Sequence, residues 1–107
     1  MHFEPGDLVL LSFPFTSETG AKQRPALVLL DAGDDDVLVA RVTTQQHGSR
    51  FDMVVENWKE AGLMAPSEVR LHKLATIAKL LVRKKLGRLP EADWTRVRAA
   101  LRQILCL

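Results

Sequence analysis

The chain has 107 residues, 47% hydrophobic and 26% charged, which is enough for one compact core and too little for two; residues 1–107 are therefore read as a single domain. Fifteen basic against thirteen acidic side chains leave a net charge of +2, so whole-chain charge points to no particular partner. A lone cysteine, Cys106, excludes an internal disulfide framework, and no run of 18 apolar residues is present to span a membrane.

The N-terminal stretch MHFEPGDLVLLSFPF has no basic leader and breaks its apolar run at Pro14, so a cytoplasmic protein is expected rather than a secreted one. Residues 7–13 and 26–30 are short apolar runs bounded by turn residues, the pattern of strands buried on both faces. Residues 14–24, rich in Thr, Ser, Gly and Lys, read as a loop between them, and long loops in small domains are often functional. A Gly-Asp-Asp-Asp turn at 33–36 leads into a third strand over 37–44. On that strand Leu38, Ala40 and Val42 share one face and Arg41 and Thr43 the other, so Thr43 is expected to point away from the main core. The polar residues 45–50 end the strand, and 51–55 starts another. After the segment NWKEAGLMAPS, broken by Gly62 and Pro66, a fifth strand is expected near 68–72 and a sixth near 76–82. Only the last segment reads as a helix: Pro90 suits its first turn, Glu91 and Asp93 its positive end, and Trp94, Val97, Leu101, Ile104 and Leu105 recur at helical spacing. Five or six short strands followed by one amphipathic helix predict a mainly β (α+β) domain, a strongly bent sheet or barrel closed by the helix.

Charge is distributed unevenly along this order. Residues 1–53 carry four basic and eight acidic side chains, whereas residues 54–107 carry eleven basic and five acidic. That asymmetry suggests a polyanionic partner or an acidic protein partner. His2, His47, His72 and Cys106 have no metal-ligand spacing, and neither a phosphate-cradling glycine loop nor a Gly-x-Ser-x-Gly elbow is present, so no metal or cofactor is expected.

Gly6-Asp7-Leu8-Val9-Leu10, Phe13-Pro14-Phe15-Thr16 and Gln23-Arg24-Pro25-Ala26-Leu27-Val28-Leu29 resemble the N-terminal signature of MazF/PemK-like toxins. Arg41-Val42-Thr43-Thr44 and the block from Trp58-Lys59-Glu60-Ala61-Gly62-Leu63 to Pro66-Ser67-Glu68-Val69-Arg70 agree with it in order and spacing. The resemblance implies an SH3-like small barrel of five to seven strands with a C-terminal α-helix, and a homodimer. It also implies a toxin of a type II toxin–antitoxin system that cuts single-stranded RNA without a metal, and a cognate antitoxin whose acidic C-terminal segment occupies the RNA groove.

Such cleavage uses the substrate's own 2′-hydroxyl as nucleophile, leaving the protein to supply a proton acceptor, a proton donor and positive charge for the phosphorane oxygens. The resemblance makes Arg24 of the Arg-Pro pair catalytic, and a guanidinium fits because its planar fork holds two phosphate oxygens. Thr43 corresponds to the family's strand threonine beside that arginine. Arg70 and His72, two apart on a strand, share a face; some relatives have Arg-x-Asp here with the aspartate as proposed base, and an imidazole can exchange protons near neutrality in its place. Thr16, Ser17, Lys22, Gln45, Gln46 and Lys73 are the expected RNA-binding residues, with base choice depending on the 14–24 and 44–50 loops. Arg83, Lys84, Lys85 and Arg88 form a basic cluster read as a solvated run before the helix, or as a phosphate-tracking surface with Lys73 and Lys79. Trp58 is read as an anchor for its segment rather than a base-stacking residue, and Trp94 as part of the helix's core stripe. Two other readings compete: a binding module without catalysis, such as a DNA gyrase poison of related fold, and a degenerate member that retains only antitoxin binding or dimerisation.

Overall fold

The computed structural model describes residues 1–14 and 21–107. Six strands form: β1 (Asp7–Pro14), β2 (Ala21–Leu30), β3 (Asp36–Thr43), β4 (Asp52–Val54), β5 (Glu68–Ala78) and β6 (Val82–Arg88). They are joined in one antiparallel sheet in the order β4-β5-β3-β2-β1-β6. A four-residue helix α1 (Trp58–Ala61) follows β4, a 3-10 turn (Lys79–Leu81) separates β5 from β6, and helix α2 (Glu91–Ile104) ends the chain. The expected mainly β fold with a terminal helix is thus present, with six strands.

The continuous apolar runs of the first three strands make sense once their neighbours are known. β2 and β3 lie inside the sheet and bury both faces, which is why alternation is weak there. One face, with Leu8, Leu27, Ala40, Val42, Val69 and Leu71, packs against Leu89 and Val97, with Trp94, Leu101 and Ile104 of α2 at its margin. The opposite face gathers Val9, Leu11, Ala26, Val28, Val37 and Val39, with Phe3 and Val82 folded over it. The helix therefore covers one face only.

The two edge strands, β4 and β6, do not hydrogen-bond to each other. The sheet nevertheless curls, because α1, which follows β4, packs on β6 at the far edge. Gly62 caps α1 with φ 93° and meets Gly87 backbone to backbone; a Cβ at Gly62 would overlap the Leu86 carbonyl, so this closure requires both glycines.

Two expectations need correction, and a third needs a qualification. β2 begins at Ala21, so Lys22 and Arg24 belong to a strand paired with β1 (Phe13 opposite Lys22, Leu11 opposite Arg24) rather than to a loop. Polarity there reflects an exposed hairpin, not a turn. Pro25 is compatible with the strand because the β2–β3 ladder ends one residue later, at the Ala26–Arg41 pair. The expected strand 68–72 and the start of the expected strand 76–82 are one strand, β5, which ends at Ala78. Lys79–Leu81 is a 3-10 turn, and the basic cluster forms its own strand, β6, where Arg83, Lys84 and Lys85 are exposed along an edge and guard it against pairing with another chain. Thr43 is buried, 7% exposed, although it lies on the face away from α2.

Candidate active site

The face that α2 leaves open carries the polar residues singled out in the sequence. Along β2, Arg24 alternates in step with Ala26 and Val28; along β3, Arg41 and Thr43 follow Val37 and Val39. On β5, Val69 and Leu71 enter the α2-side core, so Arg70 and His72 turn outward. Arg24 and Thr43 each lie two residues beyond the last β2–β3 pair, on adjacent strands. Strand periodicity thus brings Arg24, Thr43, Arg70 and His72 to one side of the molecule.

Part of this side forms a groove of about 550 Å³. Its floor is aliphatic, built from Leu11, Ala26, Val39, Leu74 and Ile77, and three cations line it: Arg24, Arg41 and Lys73. None of the three makes an ion pair among the described residues. Unneutralised guanidinium and ammonium groups over an apolar floor suit a ligand with anionic groups along an otherwise flat, weakly polar body.

The other site residues are held in place beside the groove. Arg70 donates Nε–H to Asp52 Oδ1 at 2.8 Å, pinning β5 to β4, and its side chain keeps 14% of its surface exposed. Burial raises the Asp52 pKa, but hydrogen bonds from the Ser49 hydroxyl and from Arg70 outweigh it, so the carboxyl sits below its ordinary value. His72 is exposed and packs on Phe51, ring centroids 5.0 Å apart, while the Arg50 guanidinium lies 4.7 Å over the other part of this stack at Phe51. The Thr43 hydroxyl accepts a hydrogen bond from the Gln45 amide, and its register partner Glu68 accepts one from the His47 amide. These two bonds shape the 44–50 turn that carries the exposed Gln45 and Gln46. Among the described residues no group of three or more His, Cys, Asp or Glu stands together as a metal site.

Residues 4–105 match the family of PemK-like, MazF-like toxins of type II toxin–antitoxin systems. The chain belongs to this family. The fold agrees with solved structures over nearly the whole chain. A MazE–MazF complex from Deinococcus radiodurans is similar with a TM-score of 0.76 at 25% identity, covering 97% of this chain and 96% of that one. An endoribonuclease in complex with its cognate antitoxin, from a mycobacterial species, is similar with a TM-score of 0.75 at 20% identity, over 95% and 93% of the two chains. The Mycobacterium tuberculosis toxin MazF-mt6 gives 0.72 at 22%, over 92% and 97%. No curated protein sequence matches the chain significantly.

For a MazF-like chain the remaining expected RNA contacts fall unevenly. Lys73 lines the groove, Lys22 is exposed on β2, Gln45 and Gln46 are exposed past β3, and Thr16 and Ser17 lie outside the described residues. Arg41 is absent from the expected site yet lines the groove; its signal in the sequence was the face it shares with Thr43. The basic cluster of β6 divides: Lys85 and Arg88 each lie 3.2 Å from Asp7 Oδ1, a buried carboxylate, whereas Arg83 and Lys84 make no ion pair among the described residues. Trp58 and Trp94 both pack against the α2-side core, as anchors do.

Proposed function

We propose that this chain is an endoribonuclease toxin that cuts single-stranded RNA without a metal, and that Arg24 is its principal catalytic residue. The observation that carries the reading is the position of Arg24 in a cation-lined groove on the open face of a MazF-like fold. In the reaction the substrate's 2′-hydroxyl loses its proton and attacks the adjacent phosphorus, the 5′-oxygen leaves with a proton, and a 2′,3′-cyclic phosphate and a 5′-hydroxyl end result. Arg24 stabilises the oxygens of the pentacoordinate transition state, where charge builds up. Thr43 orients the phosphate or the attacking hydroxyl, Arg70 adds positive charge from the guanidinium nitrogens not bound by Asp52, and His72 exchanges protons. Lys22, Lys73, Gln45, Gln46, Thr16 and Ser17 contact the strand on either side of the cut.

The same groove accepts an antitoxin segment in this reading: an acidic, partly apolar C-terminal peptide satisfies its cations and its floor together. The toxin acts as a homodimer in the cytoplasm, the compartment of its RNA substrate, and among the described residues no helix is long and apolar enough to cross a membrane.

The test is a cleavage assay on a mixed RNA pool in EDTA. Wild-type protein yields fragments with cyclic phosphate ends, and Arg24→Ala loses activity by roughly a thousandfold, the scale of removing a transition-state charge contact. Equal rates for the two proteins refute the Arg24 assignment. Trapped gyrase–DNA cleavage complexes, with intact RNA, replace the reading by the gyrase-poison one.

A further inference from the structure

The β3–β5 ladder contains one large irregularity, and it lies beside the groove. Ala40 pairs with Leu74, but the next residue, Arg41, pairs with Arg70, so residues 71–73 of β5 face no partner on β3. Extra residues of this kind bend a strand and re-aim side chains, and they concentrate near functional sites. Leu71 is tied to the other side by its amide, which donates to the Phe51 carbonyl at 2.9 Å, and its side chain enters the α2-side core. Lys73, Ala75 and Ile77 then line the groove. The register shift thereby sets Lys73 beside Arg41 on the same cavity wall.

Arg41 and Lys73 are both exposed and make no ion pair among the described residues. Among the described residues six other Lys and Arg side chains are paired with carboxylates, Arg70 with Asp52 and Lys79 with Asp31 among them, whereas exposed ones such as Lys22, Arg83 and Lys84 are not paired; Arg41 and Lys73 differ from the latter in lining one groove together. Two cations with no ion pair among the described residues, set beside a third, Arg24, repel one another, and an anion relieves that repulsion. Arg41 lies one strand across and two residues along from Arg24, about 8 Å by strand geometry, a separation that suits consecutive phosphates of one strand. Ala26, opposite Arg41 and next to Arg24 on the same face of β2, lies between them, and Val39 and Ile77 continue the aliphatic floor beyond Arg41.

We propose that Arg41 and Lys73 form a second phosphate subsite that holds the phosphodiester next to the one being cut, with the intervening nucleoside passing over Ala26. The proposal rests on the ribonuclease reading and adds to it a contact that binds substrate without entering the chemical step. A contact equally strong in ground and transition states lowers KM and leaves kcat alone.

The experiment pairs steady-state cleavage with fluorescence anisotropy on a 2′-O-methyl oligonucleotide, which binds but cannot be cut. Arg41→Ala raises KM and the Kd of the uncut strand about tenfold and leaves kcat within twofold. It also makes the plot of log affinity against log salt shallower by about 0.7, the value for one lost phosphate contact on a single strand. Arg41→Lys retains part of the affinity, and Arg102→Ala, an exposed cation on α2, has no effect. A neutral methylphosphonate at the neighbouring position weakens wild type tenfold and does not further weaken Arg41→Ala. Unchanged affinity in Arg41→Ala, or a loss that is independent of the methylphosphonate, overturns the subsite while wild-type cleavage upholds the ribonuclease. If wild type binds the strand in an Arg41-dependent way but cuts no RNA, the subsite stands and the ribonuclease reading falls. No binding by wild type overturns both.

Discussion

At the residue scale the site divides into side chains free to meet a ligand and side chains already committed. Arg24, Arg41 and Lys73 belong to the first group, whereas Arg70 is fastened to Asp52, whose side chain is fully buried. Asp52 therefore acts on the site through Arg70 and through the Ser49 turn, as a positioning residue. Replacing it by Ala removes the Arg70 bond and both Ser49 bonds and leaves a largely buried guanidinium without its counter-charge. Because Arg70 still reaches solvent, the expected cost is about 2 kcal/mol rather than the 3–5 kcal/mol of a fully buried pair, read as a shift in the denaturation midpoint. The same variant lowers RNA cleavage, and Arg70→Lys, which keeps charge but loses the planar fork, recovers little of it. Arg24 and Thr43 were legible in the sequence because they fall in motif blocks. Arg41 has one signal in the sequence, the face it shares with Thr43, and that signal alone does not separate a groove arginine from a solvated one.

At the element scale the main surprise is how much the C-terminal helix does beyond filling the core. Asp93, 2% exposed in the first turn of α2, accepts from the backbone amides of Glu56 and Asn57, from the Asn57 side-chain amide, and from Arg96. One carboxylate so placed ties α2 to the segment between β4 and α1, and α1 in turn closes the curl against β6. In the sequence Asp93 reads only as a charge suited to a helix N-terminus. Asp93→Ala leaves several buried donors unpartnered and is expected to cost about 2–4 kcal/mol, measured by chemical denaturation, with Asp93→Asn costing less because it retains acceptor capacity. In the sequence β2 reads partly as a loop and β6 as a charge run, because exposed strand residues such as Lys22, Gln23 and Arg83–Lys85 look like a loop when the partner strand is unknown.

At the scale of the whole molecule the charge asymmetry acquires a different meaning. The acidic N-terminal half and the basic C-terminal half meet in pairs: Asp7 with Lys85 and Arg88, Asp31 with Lys79, Asp52 with Arg70. Much of the imbalance is internal cross-bracing, and the groove is lined by the cations Arg24, Arg41 and Lys73, which have no ion pair among the described residues. Two of these carboxylates titrate low. Asp31 is held well below the carboxylate range first by its hydrogen bond from Lys79 and then by the amides of Phe3 and Gly33, and Asp52 by the bonds already described. A carboxyl whose folded pKa is depressed stabilises the fold above its unfolded value of about 3.9 and loses that contribution as pH falls through the folded value. The denaturation midpoint is therefore expected to be flat with respect to these groups from pH 5 to 7 and to fall below pH 4, and the Asp31→Asn, Asp52→Asn double variant flattens the acid limb. By itself the sequence determined the class of fold, the terminal helix, the toxin family and the strand face that carries Arg24, Thr43, Arg70 and His72, because all of these follow from local periodicity and from motifs of contiguous residues. Only the tertiary structure decided which cations remain free, where the β3–β5 register shifts, how Gly62 meets Gly87 and why Asp93 is buried. Each depends on residues far apart in the chain, and no local pattern records which charge will find a partner across the sheet.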